Sequence, residues 1–265
     1  MSHLWRERVR ILIYPQRVET LRFAPGWKRA APEHETRTCT GTQDRNETSW
    51  TQAVEALREL LAHPKLRRGD ATIILSNHFI RYLLVPWNAS LVTDEEQLAF
   101  ARMRFVQIYG EAAQNWTLRL SGGAAGSPQV AAAVERALID TLTTLLQNSP
   151  LTLRSVQPQL MSTFNGARKA IGHDAWLAVA EPGRLQLGLL RGGRWLSLRS
   201  RPLNGETVVL AELLAQERLL LGLEPGGEKI FLDTFSGVKL DTTGLPVENL
   251  AGRNAVLRSQ YHEYA

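Results

Sequence analysis

With 265 residues, the chain is long enough to bury a substantial core, as one large domain or two modest ones. Its apolar and charged fractions, 44% and 22%, are those of an ordinary globular protein, and no window approaches the roughly 18 continuous apolar residues of a membrane-spanning helix. The formal charge of +5 comes from arginines spread along the whole chain, without the clustered basic run that a phosphate footprint demands, which argues against nucleic acid as a partner.

The opening stretch MSHLWRERVRILIY has charge on both sides of a short apolar run and no small-residue cleavage site, so a secretory signal is not expected. Residues 9–13 and 18–23 read as two short strands joined by a tight turn around Pro15 and Gln16. Residues 25–48 are polar and rich in turn formers, and read as a long excursion or loop. The chain's single cysteine, Cys39, lies there with no activating partner in sight; it cannot form an internal disulfide and suits a reducing cytosol. In that compartment the sequons at Asn46, Asn88 and Asn115 are chance matches. Ser49 then opens a helix with Gln52 at the capping-box position and Trp50, Val54, Leu57 and Leu61 on one face, ended by Pro64 and Gly69.

The segment ATIILSNHFIRYLLVPW reads as a β-hairpin turning at Asn77-His78, since asparagine tolerates positive φ. Its second strand is apolar on both faces, as in a strand sandwiched between layers. Thr93 caps the next helix with Glu96 as its partner, Asp94 and Glu95 favour the helix dipole, and Leu98, Ala101, Phe105 and Ile108 form the expected buried stripe. Residues 115–120 and 129–134 read as a strand pair across the loop SGGAAGSP. Leu138, Leu142, Leu145 and Leu146 mark a helix, residues 151–156 a strand, and Pro158 the start of a helix to about residue 170.

After residues 172–174 the texture changes. Residues 175–180, 185–190 and 195–199 are three short strands separated by glycine turns, followed by a leucine-rich helix over 206–221 and a strand over 229–233. This order repeats that of the first half, and implies duplicated α/β domains packed around a cleft: 1–172 with an inserted subdomain at about 71–135, then 173–265. The basic stretch RGGRWLSLRSRP, 191–202, reads as a turn at Gly192-Gly193 and a strand with solvent-facing arginines.

Several segments in this order resemble the PilM family of type IV pilus assembly and the related cytoplasmic domain of the type II secretion protein GspL. They are the strand ending at Val85-Pro86, the acidic-started helix LVTDEEQLAFARMRF, the strand NWTLRL, the run QVAAAVERALIDTLTTLLQNSPLTLRSVQPQLMSTFN, and the meander WLAVAEPGRLQLGLLRGGRWLSLRSRPLNG. The resemblance covers most of residues 9–233 and implies an actin-like α/β fold, built of duplicated ribonuclease H-like domains with mixed sheets and flanking helices. Against the family the chain stops early, which implies a C-terminally truncated second domain.

The family's first phosphate loop has an aspartate at the end of the first strand, then glycine and small hydroxyl residues, which position Mg²⁺ and let amides approach phosphate. Here Leu12 stands where the aspartate would fall and Tyr14 near the glycine. In the second loop Glu181 is the one acid and Gly183 the one glycine, so these are the residues left to hold ATP. The adenosine-side glycine pair is replaced by Thr234, Phe235, Ser236 and Gly237. Three degraded motifs argue against efficient ATP hydrolysis.

Other chemistry is absent or bland. No P-loop or GxSxG elbow occurs, and the Gly122-Gly123 to Gly126 stretch lies between strands, not before a helix. The six histidines are isolated, His78 is explained by turn chemistry, and no zinc motif is present. Asp70 and Asp233, at strand ends, lack metal-binding companions. The resemblance thus implies a cytoplasmic scaffold peripheral to the inner membrane, gripping the tail of a bitopic PilN-like partner among other pilus or secretion components, with no cofactor and a homodimer as an option. Arg81, Trp87 and Arg104 are the candidate partner-binding residues, because interfaces favour aromatic anchors and arginines. The alternative is an ATP-binding phosphotransferase or ATPase of the actin-like superfamily.

Overall fold

The structure is a computed structural model that describes residues 6–25, 31–39, 50–63, 67–204, 207–224, 226–235 and 237–250. Its first sheet grows from the apolar run at the start of the chain. β1 (Glu7–Ile13) and β2 (Arg17–Phe23) form an antiparallel pair, closed by a bond from the Tyr14 amide to the Arg17 carbonyl at 2.9 Å. β4 (Gly69–Leu75) lies parallel to β1, and β8 (Leu151–Pro158) parallel to β4. With neighbours on both sides, β1 and β4 bury Ile11, Leu12, Ile13, Ile73, Ile74 and Leu75, which is why both read as continuous apolar runs.

The expected loop over 25–48 is corrected by β3 (Glu33–Thr38), which pairs antiparallel with β2 and ends the sheet order β3-β2-β1-β4-β8. Its sequence, EHETRT, is almost wholly exposed, so no apolar alternation marks it as a strand; charge on a sheet edge is what discourages stray pairing. α1 (Thr51–Leu61) buries Ala53, Val54, Leu57 and Leu60. Ser49 and its capping box lie outside the described residues. Trp50 occupies the N-cap without a side-chain bond to the helix, and its indole instead donates to Glu135 at 2.7 Å.

The expected hairpin at Asn77-His78 does not form. β4 belongs to the first sheet, whereas β5 (Arg81–Val85) belongs to a three-stranded sheet of order β5-β7-β6, with β6 (Trp116–Leu120) and β7 (Gln129–Glu135). Asn77 is fully buried, and its side-chain carbonyl accepts from the Leu160 amide at 3.1 Å, which satisfies a donor in the first turn of α4 (Gln159–Ile171). No non-glycine residue among those described has positive φ, so the property that suggested a hairpin turn is not used. β5 is an edge strand and only half-buried, not sandwiched. α2 (Asp94–Tyr109) follows with the expected Thr93–Glu96 capping box, then one 3₁₀ turn, Glu111–Asn115. α3 (Arg136–Gln147) buries Leu138, Leu142 and Leu146 at the expected spacing.

β9 (Ala175–Glu181), β10 (Arg184–Arg191) and β11 (Arg194–Pro202) form the expected antiparallel meander. After β12 (Val208–Val209) and α5 (Leu210–Leu220), β13 (Lys229–Thr234) lies parallel to β9. β14 (Leu240–Asp241) pairs with β12, and β15 (Val247–Asn249) with β13. The second sheet therefore has the order β11-β10-β9-β13-β15, which repeats the first strand for strand: an antiparallel meander, then two parallel strands beside its first member. Trp176, Ala178 and Ala180 of β9, with Leu185, Leu187 and Leu189 of β10, pack on Leu210 and Leu214 of α5 and on Ile230 and Leu232 of β13. The chain divides into two compact units, one of the chain up to Arg81 with Thr93–Arg119 and Ala132–Ser162, the other of Tyr82–Val92, Leu120–Ala131 and the chain from Thr163 on.

Candidate functional site

The duplicated topology gives two equivalent hairpin turns where an actin-like protein would approach phosphate. In the first, Leu12 is 1% exposed and lies between Glu19 of β2 and Ile74 of β4 as its strand neighbours. Tyr14 is also buried, with the Arg17 guanidinium 4.8 Å from its ring centre and the Arg17 Nε donating to Glu19 at 2.6 Å. Pro15 has no amide hydrogen to offer. Hydrocarbon, a packed phenol and a proline stand where a magnesium–phosphate group requires a carboxylate and close amides, so these residues do not fit it.

In the second turn Glu181 ends β9 at 1% exposure and is the strand neighbour of Arg184. Pro182 again removes an amide, and Gly183, at φ +83°, gives its carbonyl to the Leu203 amide at 3.1 Å. This is a two-residue β-turn, too short to cradle a phosphate chain. Beyond β13, Phe235 is buried with its amide bonded to the Ala180 carbonyl at 3.0 Å, and Gly237 has φ +86°; Ser236 lies outside the described residues.

The carboxylates at strand ends are held by neighbours. Asp233 is buried and accepts from the Thr163 hydroxyl at 2.7 Å. Asp70 pairs with Arg154 at 3.0 Å and Arg6 at 3.5 Å; burial pushes its carboxyl up, but the two arginines outweigh that and hold it below the usual range. Burial raises the Cys39 thiol, away from reactivity. Among the described residues no group of three or more metal-ligating side chains occurs, and no helix is long and apolar enough to cross a membrane.

The candidate interface residues fall as follows. Arg81 is half-buried and donates to the carbonyls of His78 and Ile80 at 3.0 and 3.3 Å, clasping its own loop. Trp87 is 49% exposed, and Arg104 is exposed on α2. The expected stripe on α2 is corrected: Ala101 and Phe105 are buried, Leu98 is half-buried, and Ile108 is 54% exposed. Phe105 packs against Tyr109 and Trp116 at ring separations of 6.0 and 6.2 Å, while Arg102 ties the helix to the carbonyls of Gln114 and Trp116. Met103 and Ile108 are left exposed at different positions around the helix, while Tyr109 keeps 38% exposure beside Phe105 and Trp116.

Sequence reasoning missed the buried charges of the second unit. Glu217 follows Leu210 and Leu214 on the inward stripe of α5, a position that helical spacing assigns to the core, and it meets Arg201 at 2.8 Å and Arg199 at 3.6 Å. Two arginines of the basic stretch thus reach a buried acid while their side chains keep 55% and 38% exposure, a contact that the solvent-facing reading of 191–202 did not include. Glu228 is clamped by Arg191 and by Arg218, the latter at 2.8 Å. Burial raises its carboxyl and the arginines more than reverse that, so it stays ionised to lower pH than an ordinary glutamate. Beside it opens a cavity of about 520 Å³, lined by Ile171, His173, Asp174, Arg191 and the Gly226-Gly227 backbone among others. It sits where β9 and β13 begin, at the far end of β9 from the Pro182 turn.

No family model matches the chain, and no curated protein matches it. Solved structures do. A Bacteroides thetaiotaomicron protein with an actin-like ATPase fold and unknown function aligns over 96% of this chain and 96% of its own, with TM-score 0.61 and 10% identity. The cytoplasmic domain of EpsL, an inner-membrane component of the type II secretion system of Vibrio cholerae, aligns over 97% and 96%, with TM-score 0.58 and 11% identity. A chain of a PilM-PilN type IV pilus biogenesis complex covers 94% of this chain and 88% of its own, with TM-score 0.61 and 15% identity. At such identities the likeness fixes the fold alone, and the fold is actin-like, as the resemblance implied.

Proposed function

We propose that the chain is a cytoplasmic, actin-like scaffold of a type IV pilus or type II secretion-like assembly. It docks at the inner membrane by gripping the cytoplasmic tail of a PilN-like bitopic protein, and it does not hydrolyse ATP. The observation that carries this reading is the exposure of two large apolar side chains, Met103 at 46% and Ile108 at 54%, on α2, a helix whose own buried residues are Ala101 and Phe105. Two supports stand behind it. In the first hairpin turn Leu12 and Tyr14 are buried, and Pro15 and Pro182 each remove an amide from the two turns, which supports a role that uses a surface in place of a nucleotide. One of the similar structures is the cytoplasmic domain of an inner-membrane component of a type II secretion system, and another is a PilM-PilN type IV pilus biogenesis complex.

The test is calorimetric titration of the chain with a synthetic peptide copying the cytoplasmic tail of the PilN-like protein of its own genome. Wild type should bind in the micromolar range, and Met103→Asp with Ile108→Asp should abolish binding while leaving the circular dichroism spectrum unchanged. Trp87→Ala, Arg81→Ala and Arg104→Ala then locate the footprint. Absence of binding, or binding indifferent to all of these changes, overturns the reading.

A further inference from the structure

Each five-stranded sheet ends in the third strand of its meander, β3 in one and β11 in the other, and no described strand lies beyond either. The two edges carry charges that can complement each other, although β3 also holds Arg37 near its end. β11 presents Arg194, Arg199 and Arg201, while the acidic residues of β3 are Glu33 and Glu35. Charge of one sign on an edge discourages pairing, but opposite charge on two edges of one chain is complementary between copies.

The backbone bonds fix which residues of each edge can pair outward. The Cys39 amide donates to the Gln16 carbonyl at 2.9 Å, so by the alternation of an antiparallel ladder residues 33, 35 and 37 turn their backbone groups toward β2. His34 and Thr36 therefore turn theirs outward. On β11 the Leu203 amide donates to the Gly183 carbonyl at 3.1 Å, which turns Arg199 and Arg201 toward β10, and Leu198 and Ser200 outward. The register shift in this pair lies at Leu189/Leu190, beyond these residues.

Pairing two edges requires outward residues to meet outward residues. In the antiparallel register that sets Leu198 against Thr36 and Ser200 against His34, Arg199 falls opposite Glu35 and Arg201 opposite Glu33. Both are non-hydrogen-bonded pairs, where Cα atoms approach to about 4.5 Å and side chains meet closely. A slip of two residues in one direction brings Arg199 against Arg37; in the other it carries Arg201 past the end of β3. The charges thus select one register. They are also held in place: Glu217, itself 1% exposed, orders both arginines from below, while their side chains keep 55% and 38% exposure. Glu33 meets Arg22 of its own sheet at 3.5 Å and keeps 80% exposure.

We propose that β3 of one copy adds in this antiparallel register to β11 of a second copy. The contact is head to tail, since each copy offers both edges, and it propagates into rings or chains depending on whether the rotation closes. It is independent of the docking reading above.

Analytical ultracentrifugation of the full chain over a concentration series tests it. Wild type should associate at low salt, and less so at high salt, because the pairs are partly exposed charges. Glu33→Lys with Glu35→Lys should weaken association about tenfold or more, since each pair becomes repulsive. Thr36→Pro, which removes an outward amide but no bond to β2, should do the same without loss of thermal stability. The Arg199→Glu, Arg201→Glu variant should fail to self-associate but bind the doubly lysine-substituted β3 variant in a mixture. Should that variant fail to fold above its buried Glu217, the β3 variants decide alone. A monomer at every concentration in low salt, or assembly that survives both β3 variants, overturns the proposal.

Discussion

Asp70 shows how a residue that looked catalytic by position becomes structural by its neighbours. Its carboxyl is held below the usual range because Arg154 and Arg6 favour the ionised form more than burial opposes it. With the folded value below the unfolded one, the unfolded chain binds more protons between them, so stability rises with pH there. The contribution is complete above the ordinary carboxylate value near about 4 and is lost as pH falls through the depressed value. Glu228 has the same sign for the same reason. Asp70→Asn should therefore flatten the fall of the urea midpoint below about pH 4. An unchanged slope would falsify this assignment. At neutral pH, Glu228→Gln should cost about 2 kcal/mol, since it leaves Arg191 and Arg218 facing each other without the acid between them. The loss is read from chemical denaturation.

At the scale of elements, the chain wrote its local rules in different places with different clarity. The Thr93–Glu96 box was legible because capping is a local code, and both of its bonds are formed, at 3.2 and 2.9 Å. Thr93→Ala should cost about 1 kcal/mol, measured as a shift in denaturation midpoint, with helical signal lost first from α2. The false hairpin had equally good local credentials, but Asn77 answers a distant demand, the donor at Leu160, which no window around residue 77 contains. β3 was missed for the opposite reason: an exposed edge buries nothing, so the sequence needs no apolar alternation there. The meander was read correctly, yet one of its contacts was invisible. A methyl group at Gly188 would lie 2.3 Å from the Trp195 ring across the β10–β11 pair. Gly188→Ala should accordingly destabilise by about 1–3 kcal/mol, seen as a lower Tm, because the indole has to leave its place against Phe164.

At the scale of the whole molecule, a repeat in the order of elements could be read from the alternation of strand and helix patterns, but the matching strand orders could not, since β3 carries no apolar alternation and β4 reads as half of a hairpin. The buried ion clusters could not, since Glu217 and Glu228 find their arginines across strands and helices far apart in sequence. The candidate nucleotide site lies between these cases. The departures from the family pattern at Leu12 and Tyr14 were visible, but only the structure shows that both side chains belong to the core, at 1% and 4% exposure. A side chain that has become core cannot be exchanged for a ligand without loss. Leu12→Asp should cost more than about 3 kcal/mol, since it buries a carboxylate between Glu19 and Ile74, where the nearby Arg17 is already paired with Glu19. It should also restore no affinity, because Pro15 still withholds its amide. Thermal unfolding with and without Mg-ATP checks both halves at once. We expect wild type to show no shift with nucleotide, Leu12→Asp to melt far lower without rescue, and Glu181→Ala to leave the nucleotide response unchanged. A rise in Tm with Mg-ATP that disappears in Glu181→Ala would instead establish a nucleotide site that uses that carboxylate, and overturn the reading without ATP.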